Sequence, residues 1–226
     1  MMKPLGLRYQ KIDMCPNFCM LYYLENAKLI ECMTYGHSHY KSKTSMGKTL
    51  VAYKKFRYFP ITPRLQRLFM SPKTTKHMKW HQSHDAVDGV IVHLSDGEAL
   101  KHFNSVHPHF LAESRNVCLG FCTDGFNPFR SFAAPCSCWP VMLTVYNLPP
   151  GICMRSEFMF LSMVIPGLSS PCRNIDVCLR PLIDELTQLW SFGVLTYDIL
   201  RKPNFVMRAA LMRTINDFPA YRMVFC

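Results

Sequence analysis

Acidic residues are scarce in this chain, and one long stretch has none. The 226 residues include 15 Asp and Glu against 26 Lys and Arg, which gives a formal net charge of +11. From Lys41 to Lys79 there are 11 basic residues and no acid. This pattern predicts attraction to a polyanion such as DNA. An ordinary solvated basic face is the alternative.

Long hydrophobic runs are also missing. No window of 18 uninterrupted apolar residues exists, and the best candidates, Trp139–Leu148 and Phe158–Ile165, are short and are followed by proline. A transmembrane helix needs roughly 20 such residues, so we expect no membrane partner. The first residues lack the apolar core of a secretory signal. This predicts an intracellular protein whose 11 cysteines are reduced thiols or metal ligands.

The residues that are present exclude a wholly disordered chain. Hydrophobic residues make up 49% of the sequence and aromatic residues 13%, which is enough to build a core. The length suggests one or two domains. Residues 1–80 carry 15 Lys and Arg against three acids, whereas residues 81–226 carry 11 against 12. The basic excess therefore lies entirely in the first 80 residues.

Apolar periodicity predicts a helical first half and a strand-rich second half. Residues 41–60 look like a basic connector, Thr62 with Pro63 predicts a helix start, and a second short helix is expected after Ser95, closing near His107. Further along, apolar runs predict three buried strands over 117–123, 139–146 and 158–165. A period of 3.6 residues predicts an amphipathic helix over 175–190, and 205–215 suits a strand or a helix.

Aspartates follow both the first and the last of these predicted strands. Three consecutive strands, a crossover helix and a fourth strand beside the first are typical of a ribonuclease-H-like nuclease core, an α/β fold with a mixed sheet. That topology would bring Asp124 and Asp217 together although 93 positions separate them. Paired carboxylates hold divalent ions such as Mg²⁺. Two such ions, roughly 3.5–4 Å apart, clamp the attacking and leaving oxygens of a phosphodiester.

Simpler interpretations of these acids stay open at this point. Asp124 with Gly125 has the form of a turn, and Asp217 stands where an element would end. Asp176 suits the first turn of the helix that starts beside it, where the helix dipole favours an acid. It is the alternative second metal ligand.

Six blocks stand out in order from about Cys15 to Tyr221: CPNFCMLYY (15–23), FRYFPITPRLQRLF (56–69), LGFCTDGFNPF (119–129), NLPP (147–150), IDVCLRPLIDEL (175–186), and MRAAL to NDFPAY (207–221). Together they closely resemble the plant CACTA (En/Spm-type) transposon transposases. The resemblance implies a DDE-type, ribonuclease-H-like transposase that works in the nucleus and cuts and joins DNA at transposon terminal repeats with Mg²⁺ or Mn²⁺. By position, Asp124 would be the first catalytic acid and Asp217 the second.

The end of the chain departs from that family. Relatives continue past the Pro-Ala-Tyr block to a Cys-x-x-Cys and a third acid, whereas this chain ends at Cys226. We therefore expect the N-terminal part of a transposase region, truncated and inactive, because losing a metal ligand would remove most of the rate. The alternative is a non-catalytic DNA-binding protein that uses the basic N-terminal half. A third interpretation is a chain without a stable fold, since missing strands leave apolar edges exposed.

The opening cysteines resemble the family's four-thiolate zinc knuckle with one member changed. Cys15, Cys19 and Cys32 are present, and Tyr35 occupies the fourth place. His37 or His39 could complete a Cys₃His zinc site, and His37 is the assigned ligand. Three buried or free thiols without a metal are the alternative.

These patterns divide the chain into three segments. Residues 1–45 are expected to form a Cys-rich, degenerate zinc-knuckle-like segment, residues 46–112 a basic helical segment that contacts DNA, and residues 113–226 a truncated ribonuclease-H-like domain. Self-association, or binding to another protein encoded by the same element, is a further expectation. The DNA backbone contacts are expected from Lys54, Lys55, Arg57, Arg64, Arg67, Lys73, Lys76 and Lys79.

Overall fold

A computed structural model of the protein describes residues 8–41, 50–85, 87, 89–127, 137–167 and 174–216. The strands are β1 (Gln10–Met14), β2 (Leu21–Tyr22), β3 (Lys54–Tyr58), β4 (Val117–Thr123), β5 (Ser137–Val145), β6 (Met159–Gly167), β7 (Val194–Tyr197), β8 (Asn204–Met207) and β9 (Ala209–Ile215). The α-helices are α1 (Thr62–Phe69), α2 (Pro72–Thr75), α3 (Trp80–Ser83), α4 (Glu98–Val106), α5 (Pro108–Leu111), α6 (Pro150–Cys153) and α7 (Ile175–Ser191). None of the helices in the described part of the chain is both long and apolar enough to cross a membrane.

Seven of the strands form one mixed, mostly antiparallel sheet. Their order across the sheet is β2-β1-β3-β6-β5-β4-β9, and β7 and β8 form a separate hairpin. The consecutive strands β4, β5 and β6 pair antiparallel to one another. Strand β9, which comes after helix α7 in the chain, pairs parallel to β4. The predicted strand order, with the last strand beside the first, is therefore present. The ambiguous 205–215 segment contains two strands. Residues up to Met207 belong to β8 and pair with β7, whereas residues from Ala209 onward form β9 and pair with β4.

The sheet begins earlier in the sequence than the periodicity indicated. Residues 54–58 were expected in a connector, but they form β3, which links β1 to β6. Its alternation places Phe56 and Tyr58 inward and Lys55 and Arg57 outward, a two-residue period that five residues barely display. Strands from residues 1–45, 46–112 and 113–226 thus share one sheet, so the predicted segment boundaries do not interrupt its hydrogen bonding.

Buried asparagines hold β4, β5 and β9 level at one end of the sheet. The Asn147 side chain is fully buried and accepts a hydrogen bond from the Cys118 N–H at 2.8 Å. Its amide nitrogen donates to the Asn116 carbonyl at 2.8 Å and to the Met78 carbonyl at 3.1 Å. Asn116 Oδ1 in turn accepts from the Arg208 N–H at 2.8 Å, immediately before β9. These bonds satisfy main-chain groups at the starts of β4 and β9, where a buried unpaired group would be costly.

Helix α7 is tied to the start of α1 by one carboxylate. Glu185 accepts hydrogen bonds from the Tyr58 hydroxyl, from the Ile61 N–H at 3.0 Å and from the Thr62 N–H at 2.8 Å. The first N–H groups of a helix lack intrahelical acceptors, and an anion there is favoured by the helix dipole. The predicted start of α1 is therefore confirmed, but its cap comes from Glu185 rather than from the Thr62 side chain.

A cluster of aromatic and imidazole rings packs the segment after α2 against the main sheet. His81 and His93 are buried, and His81 Nδ1 and His93 Nε2 have no hydrogen-bond partner among the described residues. His84 Nε2 lies 2.5 Å from Asp96 Oδ1, and this hydrogen bond lowers the pKa of Asp96 to about 2. Burial, reinforced by His93 and His84, lowers the pKa of His81 to about 4.

The buried His81 predicts a loss of stability in mild acid. An unfolded histidine takes up a proton near pH 6.5, but folded His81 does so only near pH 4, so stability falls as the pH drops through that window. Between about pH 7 and about pH 5, urea unfolding should show a loss of about 2 kcal/mol from this group. His81→Gln should flatten the profile, whereas the exposed control His102→Gln should not. Equal slopes for the wild type and His81→Gln would contradict this assignment.

Candidate functional site

Asp124 leaves the sheet at the end where β4 and β9 finish together. The register pairs Cys122 with Ile215, and the Thr123 N–H donates to Asn216 Oδ1 at 3.1 Å. The Thr123 hydroxyl donates to the Pro140 carbonyl of β5 at 3.0 Å. Asp124 itself is exposed, and its Oδ1 accepts the Gly125 N–H at 2.6 Å. The Asp124 residue therefore lies just beyond the end of β4 and is exposed to solvent.

The loop that carries Asp124 is fixed by close packing after the strand. Phe126 and Cys138 exchange two main-chain hydrogen bonds of 3.0 and 2.8 Å. Gly125 lies directly against the buried indole of Trp139, and a Cβ at this position would come within 2.5 Å of the ring. Glycine is therefore required here by a neighbouring side chain and not only by a turn, which was the simpler interpretation of the Asp-Gly pair.

Of the two candidate second ligands, Asp217 and Asp176, the structure describes only Asp176. Asp217 lies outside the described residues, so only its neighbour Asn216 can be placed, beside Thr123. Asp176 is in the first turn of α7, as the dipole argument predicted. It lines a cavity of about 400 Å³ together with Cys19 and Arg180, and Asp124 is not among the residues that line that cavity. The structure thus gives no support to Asp176 as the second ligand.

The three N-terminal cysteines lie together, as the sequence predicted. Cys19 Sγ is 3.3 Å from Cys15 Sγ and 3.2 Å from Cys32 Sγ, and all three sulfurs lie within 4.8 Å of one another. Burial of Cys32 favours its neutral thiol, but hydrogen bonds from the Cys19 thiol and from the Tyr35 and Thr34 main chain outweigh it and lower the pKa of Cys32. In the described ranges, these thiols are the only set of three or more His, Cys, Asp or Glu side chains that lie close enough to share a metal ion.

Neither predicted histidine joins this thiol cluster. His37 Nδ1 lies 3.1 Å from the Ser38 carbonyl, and its ring packs edge-on against Tyr53. Both ring nitrogens of His39 have partners, the Leu29 carbonyl at 2.9 Å and Asp13 Oδ2 at 3.0 Å. The prediction of His37 as a fourth ligand is therefore not supported, because the imidazole stays outside the group of atoms that could share one ion.

The predicted DNA-contacting cations divide into exposed and internal side chains. Arg64 points inward and donates to the Pro60, Leu161 and Phe59 carbonyls at 3.1, 2.8 and 2.6 Å, so its guanidinium is occupied by main-chain oxygens. Lys54 is half-buried over the Phe18 ring, and burial lowers its pKa. Lys79 is also half-buried. The exposed members are Lys55, Arg57, Arg67, Lys73 and Lys76.

Comparison with known proteins bears on the part of the chain that holds the acid site. The model of transposase family tnp2 matches residues 88–225, which is more than half of the chain. The chain belongs to transposase family tnp2. The match includes β4 to β9, Asp124 and Asp217, and it begins after the acid-free stretch from Lys41 to Lys79. Searches of the curated proteins and of the solved structures find no match.

Two residues of this tnp2 chain, Asn216 and Tyr22, support the candidate sites and are not predicted from the sequence. Asn216 receives the Thr123 N–H and so fixes the ends of β4 and β9. Tyr22 packs in one cluster with Cys15 and Cys32, and its hydroxyl has no partner among the described residues. Asn216 directly precedes Asp217 in the sequence. An asparagine at this position could have indicated a side chain that bonds the main chain at a strand end. Nothing in the sequence places Tyr22 beside the thiols.

The contact between Gly125 and Trp139 predicts a specific weakness at the acid site. Gly125→Ala would push a methyl group into the indole and should lower the free energy of unfolding by about 1–3 kcal/mol, with a shift in tryptophan emission. Gly151→Ala is the matched control, because a Cβ there meets nothing within 4 Å and α6 tolerates alanine. Unchanged stability and emission in Gly125→Ala would contradict the packing described.

Proposed function

We propose that this member of transposase family tnp2 acts on DNA through a metal-binding carboxylate site at the shared end of β4 and β9. The observation that carries the proposal is the parallel pairing of these strands, which sets Thr123 at the end of β4 beside Asn216 at the end of β9. The strand order β6-β5-β4-β9 with the α7 crossover supports a ribonuclease-H-like core. The element of origin is then of the CACTA type, its DNA partner is the terminal repeat, and the site of action is the nucleus.

The donor set at this end suits a hard divalent cation. Asp124 offers an exposed carboxylate with its second oxygen free of the Gly125 bond, and Mg²⁺ or Mn²⁺ prefers such oxygen ligands. Asp217 follows β9 and is the second carboxylate in this proposal. When bound, the ion supplies Lewis-acid stabilisation of phosphate oxygens. The protein's own part is to hold Asp124 on a packed loop, so that the ligand geometry is fixed before DNA arrives.

Removing the Asp124 charge tests the carboxylate site. Asp124→Asn should weaken Mn²⁺ binding to the full chain at least about tenfold. Mutating a residue that only hydrogen-bonds to a metal ligand already reduces metal affinity by roughly 10- to 100-fold, and Asp124 is proposed as a direct ligand. Free Mn²⁺ is measured by electron paramagnetic resonance.

Asp176→Asn is the matched control, because it makes the same change in a different cavity. The control should leave the Mn²⁺ affinity at the wild-type value. Equal Mn²⁺ affinity for the wild type and Asp124→Asn would remove Asp124 from the site.

A second role, binding of the DNA backbone by the basic segment, is favoured by the exposed cations. Arg67, Lys73 and Lys76 are exposed on α1 and in the region of α2, and they form no ion pair with any of the described residues. Lysine and arginine contacts to phosphate bring salt-dependent affinity without sequence preference. This role requires none of the carboxylates, so it is separable from the chemistry above.

The salt dependence of DNA binding tests this role. Lys73→Gln with Lys76→Gln should weaken binding to duplex DNA of any sequence and reduce the slope of log affinity against log salt by about 2. The control pair Lys28→Gln with Lys101→Gln alters exposed lysines outside the acid-free stretch and should leave the slope unchanged. Identical slopes for both double variants would show that the α2 lysines do not contact phosphate.

A further inference from the structure

We propose that Cys15, Cys19 and Cys32 form a three-thiolate site for a thiophilic divalent ion, Zn²⁺ in the first instance, whose fourth position is taken by an exchangeable ligand from solvent. This site lies apart from the Asp124 region and serves neither the carboxylate chemistry nor the basic segment. The proposal rests on sulfur geometry, on the loops that hold the sulfurs, on a buried hydroxyl beside them, and on the cavity that reaches Cys19.

The sulfur positions are close to those that a tetrahedral ion requires. Zinc–sulfur bonds of about 2.3 Å at tetrahedral angles place sulfurs about 3.8 Å apart. The separations from Cys19 Sγ to the other two sulfurs are 3.3 and 3.2 Å, so each must increase by about half an ångström. Each thiol releases its proton to solvent on coordination.

Two tight loops hold the sulfurs before any ion binds. In the first, the Phe18 N–H donates to the Cys15 carbonyl at 3.0 Å, and Phe18 has a φ of 60°. In the second, the Gly36 N–H donates to the Cys32 carbonyl at 2.7 Å, and Gly36 has a φ of 61°. A left-handed φ is strained for phenylalanine, and such strain persists where surrounding structure demands it. The two loops therefore have similar backbone geometry, and together they place the three cysteine sulfurs beside one another.

Tyr22 supplies an independent sign of a ligand at this point. Its side chain is 6% exposed, it packs against Cys15 and Cys32, and its hydroxyl has no partner among the described residues. A buried hydroxyl without an acceptor is costly, and a thiolate or a metal-bound oxygen would accept its proton in a hydrogen bond. Three thiolates and a divalent ion sum to one negative charge, and the Lys54 ammonium over the Phe18 ring offsets it.

The fourth position is open because the nearby histidines are committed elsewhere and Cys19 faces a cavity. His39 has both nitrogens bonded, and His37 stays outside the thiol group. Cys19 is half-buried and lines the cavity of about 400 Å³, which also contains Glu25 and Arg180. Water or a small thiol can therefore reach an ion at the cluster from the Cys19 side.

Cobalt substitution in the purified full chain tests the proposal. Co²⁺ should bind one ion per chain with thiolate charge-transfer absorption, and native mass spectrometry with Zn²⁺ should count three protons displaced. Adding an excess of a monothiol should raise the charge-transfer intensity by about one third, as a fourth sulfur joins. Cys15→Ser, Cys19→Ser and Cys32→Ser should each abolish the spectrum, whereas Cys153→Ser, a buried cysteine in α6, should preserve it.

The results that would contradict the proposal do not depend on whether the serine variants fold. Absence of Co²⁺ charge transfer in the wild type would exclude the site. A wild-type spectrum that ignores the monothiol, together with a changed spectrum in His37→Ala, would show a fourth protein ligand and overturn the open position. An unchanged spectrum in His37→Ala with a monothiol response supports it, whether or not the serine variants fold.

Discussion

The parallel pairing of β4 with β9 is the constraint on which the candidate acid site depends. Both strands start from one buried amide network, in which Asn116 holds the Arg208 N–H and Asn147 holds the Cys118 N–H. The pairing continues through one register shift after Leu119 to Cys122 and Ile215, and the Thr123 to Asn216 hydrogen bond marks the shared end. Helix α7 makes the crossover possible, since a parallel neighbour requires a long connection. Asp124 therefore follows a strand end that is held by main-chain pairing to β9 and by the two hydrogen bonds of Thr123.

The parts of the fold that the sequence predicted are those with a strong local signal. The buried run of β4, the amphipathic repeat of α7 and the proline start of α1 each carry such a signal, and all three are present. Strand β3 was missed because alternation over five residues in a basic stretch looks like a solvated connector. The β7–β8 hairpin was missed for a related reason. Its strands have four residues each, and their register is set by contacts between strands rather than by periodicity.

At the thiol cluster and in the basic stretch, the sequence predicts which residue types are present but not the side-chain contacts that each of them makes. It brought the three cysteines together, yet it could not tell that both nitrogens of His39 are already used or that Tyr22 lies beside the sulfurs, because side-chain orientation is set by tertiary packing. It also treated every cation in the basic stretch alike. Arg64 donates to three main-chain carbonyls, whereas Arg67, one turn further along α1, is exposed. Structural and DNA-facing arginines are therefore indistinguishable by composition.

The central claim, that the ends of β4 and β9 hold one divalent ion between the residues that follow them, is tested most directly by iron-mediated cleavage of the protein itself. Fe²⁺ bound at a Mg²⁺ site generates hydroxyl radicals with ascorbate and peroxide, and these cut the nearest main chain. The account predicts two cuts in the full chain, one next to Asp124 and one next to Asp217, both suppressed by excess Mg²⁺. Cuts at only one of these positions, or cuts that persist unchanged in Asp124→Asn, would contradict a shared site.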